Sequence, residues 1–457
     1  MTDFDVIVLG AGPAGEVCAG RLAKAGLAVA IVERELVGGE CAFYACMPSK
    51  ALLRPAELLA EVARVPGAAE ALCRGVDPAV TLTRRDEVIH DLDDSVQLPW
   101  IEHLGITLIR GFGRLEPPAG GERRVSVGDR TYQAGRAVVI ATGSAAAFPP
   151  IPGLREVEPW TNREATTVKE VPDSLLILGG GVVGVELAQA WSSLGARVVL
   201  VEALPRLLAR EEPFAGEQVG DALRERGVEV HLGAKATAVA HADAGFTLTL
   251  EDGAELACRE LLVAVGRRPL TEDIGVDAFG LEPGQTIDVD DQMRVAGHDW
   301  LFAIGDVNGR SLLTHMGKYQ ARAAADVILG RDARVTEDGP RSPRVVFTDP
   351  QVAAVGLTFA AALDAGIQAR AVDVETSATA GASFYGRGTP GRARIVVDDV
   401  RRVIVGATFT GFEVAEFIHA ATIAVVGEVP VDRLWHAIPS FPTRSELWLK
   451  LLEEYGL

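Results

Sequence analysis

Hydrophobic residues gather along this chain in short β-branched runs, each followed by a glycine-rich turn and then by a stretch with helical spacing. Val6 to Leu9 reads as a buried strand, Gly12 to Ala25 as an amphipathic helix, and Val29 to Val32 as the returning strand, closed by Glu33. The pattern recurs in register as Leu175 to Leu178, Val183 to Leu194 and Val198 to Val201, closed by Glu202. Such a repeat predicts two α/β units with parallel sheets. Proline and glycine punctuate the chain at Pro149 to Gly153 and again at Gly339 to Pro343. Beyond the second break, strand-like runs at Arg344 to Phe347 and Val403 to Phe409 mix with a helical Val414 to Val426, which predicts an α+β module.

Both turns carry a spacing suited to phosphate. Gly10-Ala11-Gly12-Pro13-Ala14-Gly15 follows a strand and opens a helix, where glycines allow a pyrophosphate to approach and the helix N-terminus offers free N–H groups. Glu33 lies 23 residues beyond Gly10, placed to accept from a ribose hydroxyl. Gly179-Gly180-Gly181-Val182-Val183-Gly184 repeats the motif, with Glu202 at the same offset. Two Rossmann-like dinucleotide-binding domains are therefore expected. Glu202 repels a ribose 2′-phosphate, which favours NAD(H) over NADP(H) at the second site, while Arg206 acts against that preference.

Composition narrows the classes further. Of 457 residues 48% are hydrophobic and 23% charged, the balance of an ordered globular protein. Lys and Arg number 44 against 63 Asp and Glu, and the net charge of -19 repels phosphate backbones and anionic lipid. No nucleic-acid or membrane partner is expected. No apolar run approaches the roughly 18 residues needed to span a bilayer, and MTDFDVIVLG lacks a basic signal region, so a cytoplasmic protein is expected. Five cysteines, few and odd in number, fit a reducing compartment in which a disulfide is more often catalytic than structural.

Two of these cysteines, Cys41 and Cys46, have four residues between them inside Gly38 to Lys50. They admit three readings: half a zinc site, two inert buried thiols, or a redox disulfide. Zinc needs two further ligands at compact spacing, whereas Cys18, Cys73 and Cys258 stand alone, so no metal site is expected. Inert core thiols sit poorly with the flanking glycines, proline and lysine. A redox disulfide needs a distorted backbone, because positions five apart on a regular helix lie about 7.5 Å along its axis.

Two dinucleotide fingerprints together with Cys41-x-x-x-x-Cys46-Met47-Pro48-Ser49-Lys50 resemble the flavoprotein pyridine nucleotide-disulfide oxidoreductases, in particular dihydrolipoamide dehydrogenase. Ala141-Thr142-Gly143, Val265-Gly266-Arg267-Arg268-Pro269, Ile304-Gly305-Asp306 and Phe347-Thr348-Asp349-Pro350 extend the resemblance over nearly the whole chain. It implies FAD in the first cradle, NAD(H) as co-substrate in the second, and a C-terminal α+β dimerisation domain that makes a homodimer. The implied divisions are 1–150 and 271–340 for FAD, 151–270 for NAD(H) and 341–457 for dimerisation. FAD contacts are implied for Gly10, Gly12, Pro13, Ala14, Gly15, Glu33, Gly39, Lys50, Gly113, Thr142, Gly143, Gly305, Asp306 and His315. NAD(H) contacts are implied for Gly179, Gly181, Val183, Gly184, Glu202 and Gly266. Cys46 becomes the flavin-facing thiol, Cys41 the outer thiol that meets a disulfide substrate, and Glu186 the acid that pairs with Lys50 beside the flavin.

The pattern breaks near the C-terminus. Relatives carry a histidine base before Pro-Thr and a glutamate five residues later; here the segment reads Ser440-Phe441-Pro442-Thr443-Arg444-Ser445-Glu446. Phe441 cannot move a proton. Thr443-x-x-Glu446 ahead of an apolar run is a capping-box pattern, so a structural role is expected for Glu446. The small-molecule electron acceptor thus stays open between three options. One is a disulfide reached through Cys41 and Cys46, and another is a quinone-type acceptor taken at the flavin. The third is slow turnover in a redox-sensing flavoprotein.

Overall fold

The computed structural model describes residues 3–117, 120–386 and 391–457. They fall into two compact units, one built from Met1–Pro48, Asp86–Ala147 and Arg267–Gly339, the other from Ser49–Arg85, Phe148–Gly266 and Pro340–Leu457.

The first unit is organised by the strand Phe4–Leu9, whose last four residues are all buried. A strand covered on both faces reads as continuous apolar sequence, as this one does. It pairs in parallel with Val29–Glu33 on one side, Val6 opposite Val29, and with Arg130–Ile140 on the other. Leu301–Ala303 joins Arg130–Ile140, and Thr107–Arg110, Arg123–Val127 and Gly113–Leu115 complete seven strands. The helix Pro13–Lys24 begins with Pro13 at its first turn and carries Arg21 and Lys24 in its last, which suits the helix dipole. Cys18 and Ala19 on it, with Ala11 just before it, share a core with Ala321, Ala324 and Ala325 of the helix Thr314–Ile328, and Arg21 grips Asp326 with two hydrogen bonds of 3.0 and 2.6 Å.

In the second unit Ser174–Leu178, Val182–Ser193 and Arg197–Glu202 reproduce the strand-helix-strand pattern within a four-stranded parallel sheet. An antiparallel five-stranded sheet follows, ordered Arg344–Val346, Gln351–Gly356, Val403–Gly411, Arg392–Asp398, Ala369–Glu375. Val414–Val426 and Leu447–Tyr455 bury Val414, Ile418, Leu447 and Leu451 against it. This is the expected α/β fold, two Rossmann-like halves with an α+β module at the C-terminal end.

A buried carboxylate ties this second unit together. Asp349 accepts from Arg64 and from Arg226, each at 2.5 Å, and its backbone N–H donates to Gln189 Oε1 at 2.7 Å. Three elements distant in sequence therefore meet on one side chain. Removing the carboxylate leaves two partly buried guanidinium groups uncompensated, so Asp349→Ala should cost about 3–5 kcal/mol in urea unfolding. A loss below about 1 kcal/mol would show the triad to be peripheral.

Candidate functional site

At the first cradle Gly10 has φ +105°, and a Cβ there would lie 2.4 Å from Ala141 O. Gly12 is the extended residue that opens the helix, and a Cβ on it would meet nothing within 4 Å, so the space a pyrophosphate needs is open. Pro13, Ala14 and Gly15 form the first helical turn. The Glu33 side chain binds its own turn: Oε2 accepts from Ala11 N–H and Oε1 from Glu35 N–H, both at 2.7 Å. Its remaining lone pairs face a pocket lined by Gly10, Glu33, Gly113 and Thr142, with Phe112 and Arg34 at its side. Four residues expected to hold FAD thus converge, and the open cradle with an adjoining pocket fits the adenosine diphosphate half of that cofactor.

Asp306 is placed further along the same unit. Its Oδ2 accepts from Ser144 Oγ at 2.5 Å, and Arg267 Nε donates to that same Ser144 Oγ at 2.6 Å. Burial holds the Asp306 carboxyl above the usual range, against the pull of Ser144 and Arg267. Gly305 N–H donates to Gln320 Oε1 at 2.8 Å, Thr142 Oγ1 donates to Leu270 O at 2.8 Å, and Gly143 O accepts from Leu270 N–H at 3.0 Å. Ser144 and Arg267 escaped the sequence reading as site residues, although Arg267 lies within a motif that it quoted and Ser144 directly follows another.

The second cradle copies the first. Gly181 opens the helix Val182–Ser193, Val183 and Gly184 lie in its first turn, and Gly266 follows the neighbouring strand Glu260–Val263. Glu202 Oε2 accepts from Gly180 N–H at 2.6 Å and Oε1 from Leu204 N–H at 2.7 Å. Arg206 donates to Ala209 O at 2.7 Å, a bond within its own loop.

The thiols lie where the backbone breaks. Cys41 is on a short helix, Gly39–Phe43, which ends at Tyr44 (φ -132°, ψ -3°), and Cys46 opens the next helix, Cys46–Arg64. The irregularity demanded by the five-residue separation is present. Gly39 has φ +59°, and a Cβ on it would sit 2.9 Å from Gly12 Cα, so the short helix rests directly on the first cradle. Cys41 and Cys46 are in hydrogen-bond contact and not joined by a disulfide. Cys41 holds its proton far more tightly than an ordinary thiol, first through the bond with Cys46 and then through burial. Cys46 Sγ is 3.3 Å from Thr314 Oγ1, a residue the sequence reading passed over beside the exposed His315. Burial pushes the other buried thiols up, Cys18 to about 12 and Cys258 to about 11, which leaves them inert.

On the helix opened by Cys46, Lys50 Nζ donates to Glu186 Oε2 at 2.7 Å and lies 4.7 Å from the centre of the Phe347 ring. Glu186 Oε1 accepts from Phe347 N–H at 2.9 Å, so both of its oxygens are occupied. Near the C-terminus Phe441 is 76% exposed. The expected capping box at Thr443 and Glu446 does not form. Thr443 Oγ1 donates to Ser440 O at 2.6 Å, and Glu446 Oε2 accepts from Gly381 N–H at 3.1 Å. The chain packs Gly381 so closely on Thr443, 2.1 Å from its carbonyl carbon to a built Cβ, that this N–H outcompetes the local cap. A capping box forms at Thr161 and Glu164 instead. Among the described residues no group of three or more His, Cys, Asp or Glu is placed to hold a metal, and no helix is long and apolar enough to cross a membrane.

Residues 4–325 match the family model described as pyridine nucleotide-disulphide oxidoreductase, and residues 342–451 match the dimerisation domain of the same name. The chain is 33% identical to the dihydrolipoyl dehydrogenase of Chlorobaculum tepidum, over 97% of this chain and 95% of that one. To the dihydrolipoyl dehydrogenase of Thermus scotoductus it is also 33% identical, over 98% and 96%. Among solved structures it resembles the HOCl-induced flavoprotein disulfide reductase RclA from Escherichia coli in its Cu(II) complex, with 27% identity, TM-score 0.85 and 99% of each chain covered.

With Arg206 tied to its own loop, the second cradle offers a carboxylate and no committed cation to a ribose. Glu202→Ala should narrow the ratio of kcat/KM for NADH over NADPH by about tenfold, the value of one lost polar discrimination. Steady-state kinetics with both nucleotides measures it, and an unchanged ratio would remove Glu202 from nucleotide selection.

Proposed function

The chain belongs to the pyridine nucleotide-disulphide oxidoreductase family, NAD(P)H-dependent flavoenzymes that use FAD, and from that premise we propose a two-electron reductase working through Cys41 and Cys46. The observation that carries this reading is the break at Tyr44, which brings Cys41, on a short helix seated against the first cradle, into contact with Cys46 at the start of the next helix. When bound, FAD would supply a two-electron relay between nicotinamide and the thiol pair, with Gly10, Glu33, Gly113 and Thr142 placed to hold its adenosine end.

Everything else falls to this chain's own side chains. Cys46 is the inner thiol, and Thr314 is within reach to donate to it as a thiolate. Cys41 is the outer thiol, which exchanges with an acceptor disulfide and releases a dithiol product. Lys50, held by Glu186 and Phe347, presents a fixed cation one helical turn beyond Cys46. A fixed charge of this kind needs no reorganisation when negative charge develops nearby. The dimerisation-domain match supports a homodimer as the working form.

Phe441 favours a second reading. General acid-base help contributes roughly 100- to 10,000-fold, and an exposed phenyl ring supplies none of it to the outer thiol. An acceptor that takes electrons without a proton delivered to Cys41 avoids that loss. A quinone is one such oxidant, and the Cu(II) bound by the RclA neighbour is another, two Cu(II) ions taking the pair from each NADH.

Anaerobic NADH-driven turnover of lipoamide, with a quinone and Cu(II) in parallel on one preparation, separates the readings. Under the disulfide reading Cys41→Ser abolishes lipoamide reduction, and Phe441→His raises it at least about tenfold, part of the acid-base contribution. Cys46→Ser should also remove the long-wavelength absorbance of the reduced enzyme while FAD stays bound. Quinone or Cu(II) turnover that survives Cys41→Ser, with no lipoamide activity, would overturn the disulfide reading.

A further inference from the structure

A hydride delivered to a disulfide leaves one S–H and one thiolate: the S–S bond breaks, one sulfur takes the proton and the other keeps the electron pair. One negative charge must then be held beside the sulfurs, and with Phe441 at the usual base position that support has to come from elsewhere. The first turn of the helix Thr314–Ile328 is built for it. Thr314 Oγ1 lies 3.3 Å from Cys46 Sγ and also hydrogen-bonds Cys41. Lys318, four residues on and hence on the same helix face, is half-buried, and its charge acts on Cys41. The same lysine acts on Glu16, in the first turn of the helix packed alongside. Glu16 Oε1 is buried with no hydrogen-bond partner among the described residues.

We propose that Thr314 and Lys318 are positioning residues that hold the charge of the reduced thiol pair from within the subunit, and that Glu16 switches how far Lys318 serves it. This rests on Cys41 and Cys46 being the redox pair. The groups facing Glu16 are Lys318 and Glu33, and those facing Cys41 are Cys46, Thr314 and Lys318. Burial first, and Glu33 next, push the Glu16 carboxyl up to about 7 while Lys318 pulls it down. Below that pH Glu16 is neutral and the ammonium acts on the sulfurs undivided. Above it the new carboxylate draws on the same cation, so thiol ionisation proceeds in two steps.

The test is the rate at which iodoacetamide alkylates the FAD-loaded enzyme after reduction by one equivalent of NADH, followed between pH 5.5 and 9.5. Removing the hydroxyl or the cation shifts an ionisation by about one pH unit, so Thr314→Val and Lys318→Gln should each alkylate about tenfold more slowly at neutral pH. Thr314→Ser and Lys318→Arg should restore the rate, and Glu16→Gln should turn the two-step profile into one step. Profiles that superimpose on the unmodified enzyme, in proteins where NADH does release thiols, overturn this inference alone. If NADH releases no alkylatable thiol at all, the redox pair itself is refuted and this inference falls with it.

Discussion

A regular α-helix cannot bring two sulfurs five residues apart into contact, and the rest of the site follows from how the chain escapes that limit. It stops one short helix at Tyr44 and starts another at Cys46. Stopping a helix costs backbone hydrogen bonds, so the break has to be held from outside. Gly39 provides one hold, because without a side chain the short helix can press its start to within van der Waals reach of Gly12. Thr314 provides the other, from the opposite direction in sequence, by meeting Cys46 Sγ. The phosphate cradle and the redox pair are thus parts of one packing arrangement, and a side chain at position 39 would disturb both together.

Carboxylates recur throughout as two-handed connectors. Glu33 and Glu202 each accept from one N–H of a glycine-rich turn 22 residues earlier and one two residues on, which ties each turn to the strand beside it. Glu186 holds Lys50 with one oxygen and Phe347 N–H with the other. Asp349 gathers Arg64 and Arg226. A carboxylate with both oxygens engaged has one orientation, so Glu33, Glu202 and Glu186 hold their partners accurately, while Asp349 draws two guanidinium groups onto its Oδ2. Glu16 differs from these four, with one buried oxygen that has no hydrogen-bond partner among the described residues. An acid in that condition keeps its proton into the neutral range, which distinguishes it from the connectors.

What was legible in the sequence was what depends on local rules. The two strand-helix-strand repeats follow from periodicity and glycine spacing, and the predicted Val414 to Val426 is the helix Val414–Val426. The need for irregular backbone between Cys41 and Cys46 follows from helix geometry alone. The capping box at Thr443 failed for the opposite reason. Its spacing is a local signal, but Gly381 comes from 62 residues earlier and takes Glu446 for its own N–H. Thr314 and Ser144 were missed likewise, because their partners, Cys46 and Asp306, are 268 and 162 residues away. Only the register of the folded strands reveals such pairs.

Phe441 gives these long-range contacts their chemical meaning. A dithiol enzyme with a histidine base can leave the thiols electrostatically plain, since a proton acceptor arrives with its own charge. This chain carries Phe441 at that place in its sequence, and under the proposed reading the charge left on sulfur after reduction falls to groups fixed in place. A hydroxyl at 3.3 Å and an ammonium one turn further along the same helix are fixed in that sense, whereas an imidazole that gains and loses its proton is not. Fixed groups stabilise a thiolate without accepting its partner's proton. That division suits electron delivery better than repeated proton exchange at Cys41, whose own proton is held by burial and by the bond to Cys46. Under the proposed reading the apolar ring at position 441 and the polar turn at Thr314 work together, one withdrawing proton transfer and the other supplying charge.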